Sequence, residues 1–352
     1  MMIPARYKIQ FFQAMTNYFP RDFACHVTSA EARHGGKVTG LMASKHILQD
    51  LIEFRPDIVF TDYAAHPCWY TTLYGILRRR HIPLVALLRG DVWRECIAYF
   101  HTATFPNKLV GPVHLFAWSS GLQFSDRILA ICHWLERIVA ERYPNKKVGV
   151  LHEGIDPELW LARIERPHNL KRPAIGILQD NNILPKVKGL IWFASVVRDM
   201  PDVNFYIAGG GQFTHLVEKA FLGLHNAHLL GRLPYPDGVR RFYQSIDAYA
   251  LPSGLDCCPA TLLEASLSER PVVASKVGGI PELIKQGETG WAIPNGHENL
   301  WIERIRALLE DSRLSRKMGR AGRQFILENF SWRIQAERLA SILREEFGSQ
   351  GY

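Results

Sequence analysis

Two carboxylates, Asp256 and Glu264, stand with seven residues between them in the stretch Leu251–Trp291. The chain reaches Asp256 through an apolar run, Asp247–Leu251, that reads as a buried parallel strand, and through a Pro-Ser-Gly turn. Pro259 suits the first position of a helix, where its missing N–H would be unpaired anyway. That helix carries Ala260–Glu269, so one carboxylate sits before it and the other on it, and both can face a ligand lying across the helix start. Free N–H groups and the positive dipole end attract a phosphate there. A second strand, Pro271–Ala274, ends at Gly278-Gly279, glycines that permit close backbone approach to a ligand.

The elements that hold this stretch alternate between apolar runs of strand length and helix-period segments, which predicts an α/β fold. At 352 residues, two domains of ordinary size are expected. A hydrophobic share of 47% and a charged share of 22% describe a globular chain. No apolar run approaches the roughly 18 residues of a membrane span, and the basic, polar start is no signal peptide. The six cysteines form no Cys-x-x-Cys pair, which fits a reducing cytosol and predicts neither disulfide framework nor metal cluster. His225 and His228 lack a third ligand and read as loop histidines. No Asp-x-Asp pair occupies a suitable loop.

Charge is uneven. Residues 1–150 hold six Lys and twelve Arg against eleven acids, which accounts for +7 of the +8 total. A basic first half is equally compatible with ordinary solvated surface and with attraction to an anionic substrate or membrane face. The aromatic-rich segment 98–123 reads as core in preference to an apolar lip for a lipid acceptor. Arg78–Arg80 close a helix from Trp69, favourable at its C-terminus.

The motif of the opening paragraph closely resembles the nucleotide-sugar site of the retaining GT-B glycosyltransferases of family 4, which include sucrose synthase-like and mannosyl transferases. Pro252-Ser253, Glu264-Ala265, Pro271–Ser275, Val277–Glu282 and Gly287–Gly290 match in order, with Asp256 where the family has its first Glu. The resemblance implies two Rossmann-like domains facing across a cleft, 1–164 on the acceptor side and 173–330 on the nucleotide-sugar side. Residues 331–352 are then a helix returning to the first domain. Family members open with an apolar strand central in the first sheet. Here only Met1–Ile3 precede Pro4, so either that strand is missing from the sequence or these residues pair minimally, and truncation is the favoured reading.

By the same resemblance Glu264 binds the ribose hydroxyls and Asp256 a sugar hydroxyl. Lys188, in Lys188-Gly189, clamps the departing diphosphate, with Lys186 supplying a second charge because the family's Arg is absent from Gln179–Gly189. Cys258, Ala260 and Thr261 form the helix start. Gly209 and Gly210 match a glycine turn after a strand, and Arg232 and Leu233 end the strand bordering the nucleobase. Arg89 replaces a family His. An arginine shuttles no protons near neutral pH, so Arg89 is expected to bind charge. His66, Gly90 and Asp91 are acceptor-side candidates. His152–Pro157 resembles the junction motif, with Trp160 in its aromatic place.

The expected activity is retaining transfer of a sugar from a nucleotide sugar to a glycan or lipid-linked acceptor, without metal or other cofactor and without nucleic acid as partner. It is expected in the cytoplasm, with peripheral contact to an anionic membrane face. A GT-B protein that binds nucleotide sugars without turnover, or a related epimerase or phosphorylase, is the alternative.

Overall fold

The computed structural model describes residues 2–4, 15–28, 48–62, 74–102, 110–161 and 168–348. They form two compact units, one of Met1–Gly154 with Trp332–Tyr352, the other of Ile155–Ser331.

The first unit is built on β1 (Met2–Pro4), β2 (His26–Thr28), β3 (Val59–Asp62), β4 (Leu84–Leu88), β5 (Arg127–Ala130) and β6 (Lys147–Val150). All pair in parallel, in the order β2-β1-β3-β4-β5-β6. Met2-Ile3-Pro4 therefore fills the central position where an N-terminal strand is expected: Met2 is in register with His26 on one side and Val59 on the other. These three residues pair with both neighbouring strands, as the minimal-pairing reading expects.

Helices α1 (Val92–Thr102), α2 (Val110–Phe124) and α3 (His133–Arg142) cross between these strands. Phe100 and Phe116 are 43% and 74% exposed, which corrects the expectation that the whole aromatic segment is core. Phe124 instead stacks on Tyr74 with centroids 4.1 Å apart.

The second unit begins with α4 (Pro157–Leu161) and then alternates strand and helix: β7 (Ala174–Leu178), α5 (Leu184–Arg198), β8 (Asn204–Ala208), α6 (Thr214–Phe221), β9 (Ala227–Gly231), α7 (Asp237–Ser245), β10 (Ala248–Leu251), α8 (Ala260–Leu267), β11 (Val272–Ser275) and β12 (Gly290–Ile293). Helices α9 (Glu298–Glu310) and α10 (Ser312–Asn329) complete it, and α11 (Trp332–Phe347) belongs to the first unit.

The second sheet runs β12-β11-β10-β7-β8-β9, all parallel. Its central strands are wholly buried, as parallel strands covered on both faces must be, whereas edge strand β9 is partly exposed. Its core includes an aromatic cluster in which Phe193 lies 5.1 Å from Trp301 and 5.9 Å from Phe205, both edge-on. The chain leaves β9 and re-enters the sheet on the far side of β7, so the winding direction reverses between β7 and β10. Open α/β sheets place their ligand crevice beyond the carboxyl ends of the two strands at such a reversal. That selects the loop after β7 and the loop after β10. Among the described residues no helix is long and apolar enough to cross a membrane.

Candidate active site

The loop after β10 carries Asp256 and leads into α8. The loop after β7 leads into α5, whose first turn carries Lys186. The two meet: Lys186 Nζ lies 2.9 Å from Asp256 Oδ2. Both side chains are largely sheltered, 22% and 10% exposed. The other Asp256 oxygen accepts the Cys257 N–H at 3.1 Å, so the carboxylate is held from two sides.

This meeting depends on glycines. A Cβ on Gly189 of α5 would stand 2.4 Å from Gly254 N, and one on Gly254 would stand 2.1 Å from the Pro185 carbonyl. With hydrogen there instead, α5 seats directly on the 252–254 turn, and Gly254 N–H bonds the Lys186 carbonyl at 3.3 Å. Gly278 adopts φ +54°, and a Cβ on it would strike the Asp256 carbonyl oxygen at 1.9 Å. The close approach that the Gly278-Gly279 pair was expected to allow to a ligand is thus an approach to the protein's own backbone, sealed by Gly279 N–H to Asp256 O at 3.0 Å.

Helix α8 starts at Ala260 after Pro259, and no side chain caps it. By contrast α10 is capped by Asp311, whose carboxylate accepts from the N–H groups of Arg313 and Leu314. The first N–H groups of an α-helix have no partner within it. At α8 these donors are the N–H groups of Ala260 and Thr261; Pro259 has none, and the Leu262 N–H bonds the Pro259 carbonyl at 3.1 Å. Cys257 and Cys258 are buried, while Ala260 and Thr261 are half-buried.

Glu264 follows one turn into α8. It is 6% exposed, and its Oε2 lies 3.1 Å from the Tyr243 hydroxyl. That hydroxyl is also 2.9 Å from the Thr261 carbonyl. Burial first, and then the Glu264 charge, drive the Tyr243 phenol far above its ordinary pKa, so it stays a hydrogen-bond donor. Tyr249, edge-on to Tyr243 at 5.5 Å, is likewise raised by burial first, and its hydroxyl donates to the Leu178 carbonyl at 2.8 Å. Trp160 packs on Tyr243 from α4 at 5.9 Å. The sequence reading missed both tyrosines. Their only signal was helical or strand spacing that placed them in the core.

The glycine turn after β8 is zipped to the loop after β7. Asn181 N–H bonds Gly210 O at 3.2 Å, and Gly209, at φ +139°, sits where a Cβ would meet Gln179 O at 2.0 Å. Arg232 donates to the Gly210 carbonyl at 3.1 Å, and Leu233 beside it is half-buried. Gln179 and Asn181, 5% and 4% exposed, are buried here too, and the Gln179 amide has no hydrogen-bond partner among the described residues.

Lys188 stands apart. It is exposed on α5, two residues beyond Lys186, and residues so spaced point to different sides of a helix. Among the described residues it has no ion-pair partner. His228 is stacked on Tyr206 at 4.6 Å and bonded to Asn204 Oδ1 at 3.1 Å.

In the first unit Arg89 follows β4. It is 12% exposed and ion-paired with Glu153, itself 7% exposed, which excludes a solvent-facing role. Glu153 was not singled out in the sequence. Asp91 is 2% exposed and bound to its own helix: it accepts the Arg94 N–H at 3.0 Å at the start of α1. Gly90 beside it is buried. His66 lies outside the described residues, as do most of the loops at the carboxyl ends of β1 and β3, the winding reversal of this sheet.

Comparison with known proteins bears on both units. A family model described as Glycosyl transferases group 1 matches residues 178–311, and one described as Glycosyltransferase Family 4 matches residues 26–159. An alpha-maltose-1-phosphate synthase of Mycolicibacterium smegmatis is 27% identical over 307 residues, 79% of this chain and 77% of its own. The sulfoquinovosyl transferase of Arabidopsis thaliana is 30% identical over 316 residues, 85% of this chain and 58% of its own. A D-inositol 3-phosphate glycosyltransferase of Corynebacterium diphtheriae is 29% identical over 215 residues, 55% of this chain and 50% of its own length. The chain thus spans about half of the length of the latter two.

Among solved structures, sucrose-phosphate synthase from Thermosynechococcus elongatus superposes with a TM-score of 0.72 at 14% identity, covering 99% of each chain. Anabaena HepE with UDP-glucose superposes with a TM-score of 0.71 at 15% identity, covering 98% of this chain and 99% of its own. At such identities the likeness speaks for the fold alone. Matched in both halves and folded as two parallel α/β sheets of this kind, the chain belongs to the family 4, group 1 glycosyltransferases and has the GT-B fold.

Proposed function

We propose that the protein moves a sugar from a nucleotide-sugar donor to a glycan or lipid-linked acceptor, with retention at the anomeric carbon. The observation that carries the reading is the meeting of Lys186 and Asp256 at 2.9 Å, beside an uncapped helix start, at the winding reversal of the second sheet. The names of relatives agree with such a donor: one is a GDP-mannose-dependent mannosyltransferase, and HepE was solved with UDP-glucose.

Catalysis in this reading is electrostatic. As the glycosidic bond breaks, charge grows on the departing diphosphate. The Lys186 ammonium, the exposed Lys188 and the N–H groups between Cys258 and Thr261 stabilise that charge. Asp256 holds Lys186 in place and accepts from a sugar hydroxyl. Glu264 accepts from the ribose hydroxyls, with Tyr243 fixing its carboxylate. Gly209 and Gly210 bring backbone close to the donor, and Arg232 with Leu233 borders the base. Arg89, paired with Glu153, binds charge on the substrate, with His66, Gly90 and Asp91 on the acceptor side. Because the protein's own cations and dipoles face the diphosphate, the reading calls for no metal. It sets the protein in the cytoplasm, where exposed Phe100 and Phe116 on a basic unit suit peripheral contact with an anionic membrane.

The test is a thermal-shift screen of UDP-, GDP- and ADP-sugars on the purified chain, followed by product analysis with the donor that binds. Stabilisation by one donor and formation of an α-linked product support the reading. A bound donor that is neither transferred nor hydrolysed would favour a binding protein. A changed sugar on the nucleotide would favour an epimerase.

A further inference from the structure

At the amino ends of β4, β5 and β6, on the side of the first sheet away from the loops that carry Arg89 and Glu153, lies a cavity of about 730 Å³. Its floor is Leu84, the first residue of β4. Small-molecule pockets run to about 300–1,000 Å³, so the volume suits a compact organic ligand. One wall is the stacked pair Tyr74 and Phe124, 4.1 Å apart and within 17° of parallel.

Two cations line the same cavity. Arg78 donates from Nη1 to Tyr74 Oη at 3.3 Å, which uses one of a guanidinium's five N–H groups. Lys146 donates to the Ser125 carbonyl at 2.9 Å, which uses one of an ammonium's three. Neither has another partner among the described residues. The one acid in the lining, Asp126, accepts the Leu84 N–H at 2.7 Å and so is partly occupied in starting β4. The lining therefore carries an excess of positive charge beside an aromatic wall, within the unit that holds +6 of the chain's net charge of +8. A second cavity of about 360 Å³ shares Pro83 and Phe347 with the first and continues it toward the end of α11.

We propose that this cavity is a second ligand site, for a small organic anion bearing a flat ring: the ring lies against Tyr74 and Phe124 and the anionic group between Arg78 and Lys146. It is separate from the donor reading, since every residue it uses belongs to the first unit and to the opposite end of that unit's strands.

The probe is anilinonaphthalene sulfonate, a ring-bearing anion, titrated by fluorescence into the full chain. Saturable binding of one probe per chain is expected, weakened by added inorganic sulfate. In the double variant Arg78→Glu, Lys146→Glu the dissociation constant should rise roughly tenfold or more through loss of both charge contacts. Lys186→Gln, in the other unit, should leave probe binding unchanged. If the double variant fails to fold by circular dichroism, the neutral variants Arg78→Gln and Lys146→Gln carry the same test with a smaller rise. Unaltered affinity in these variants, or loss of binding on Phe116→Ser alone, overturns the proposal, the latter by moving the probe to the exposed aromatic patch.

Discussion

Lys186 and Asp256 join the two strands between which the second sheet reverses its winding: the lysine follows β7, the aspartate follows β10, and their charged atoms are 2.9 Å apart. In the proposed reading the lysine is thereby fixed where a departing diphosphate needs a counter-charge. Lys186→Gln is expected to lower kcat by about 10²–10³, the usual scale for losing one charge-stabilising donor. Lys188→Gln, on an exposed and unpaired side chain, is expected to cost less. Steady-state kinetics with the preferred donor check the ranking, and an equal loss in the two variants would reverse it. Asp256→Asn in the Lys186→Gln background should cost less than in the native chain, since one removal already breaks the pair.

Tyr243 has a single proton to share between Glu264 Oε2 and the Thr261 carbonyl. Tyr243→Phe removes it and leaves a buried carboxylate with one donor fewer, at a cost of about 1–3 kcal/mol in stability. If Glu264 serves the ribose, the donor KM should rise several-fold while kcat changes little, because that contact is made in ground state and transition state alike. Glu264→Ala should raise KM further. Unchanged donor KM in both variants would assign Glu264 to packing alone.

What the sequence disclosed follows from how each signal arises. The strands of the second unit were legible because buried parallel strands are short, continuous apolar runs: the run read at Asp247–Leu251 contains the observed strand Ala248–Leu251. The helix read over Ala260–Glu269 is likewise observed, at Ala260–Leu267. The Asp256 and Glu264 spacing was legible because both belong to one turn and one helix. The partner of Asp256 was not, because Lys186 comes from 70 positions away and only tertiary packing, through Gly189 and Gly254, brings it there. Arg89 was identified but its partner was not, for the same reason: β4 and β6 are not neighbours in sequence. The three-residue β1 left two readings open, since a strand so short has no periodicity to detect.

Gly278 offers a test of the backbone that shapes the site. Its φ of +54° is disfavoured for any residue with a Cβ, and that Cβ would overlap the Asp256 carbonyl at 1.9 Å. Gly278→Ala should destabilise the chain by more than about 1 kcal/mol, seen in urea unfolding. It should also displace Asp256 and lower activity beyond what the fraction unfolded explains. Full activity with native stability would mean that the loop tolerates the shift. Gly223, also at positive φ but with nothing within 4 Å, is the control: Gly223→Ala carries the conformational cost without the collision.

Glu346, near the end of α11, ties that helix to the first sheet through Arg127 and through Lys147, whose Nζ is 3.0 Å from Oε1. Burial pushes its carboxyl up, but the hydrogen bonds and charges of Arg127 and Lys147 together outweigh this and hold it below its ordinary value. A carboxylate whose folded pKa is depressed adds stability above its unfolded pKa, about 4.3 for Glu. That contribution is lost as pH falls through the lower, folded value. Glu346→Gln should therefore lower Tm by a constant amount from roughly pH 5 upward, and the gap between variant and native chain should close below about pH 4. Added salt should narrow the gap through Lys147, which is 72% exposed, more than through Arg127, which is 21% exposed. Thermal melts from pH 3 to 7 check this, and a gap that widens on acidification would show that burial, not the two cations, governs Glu346.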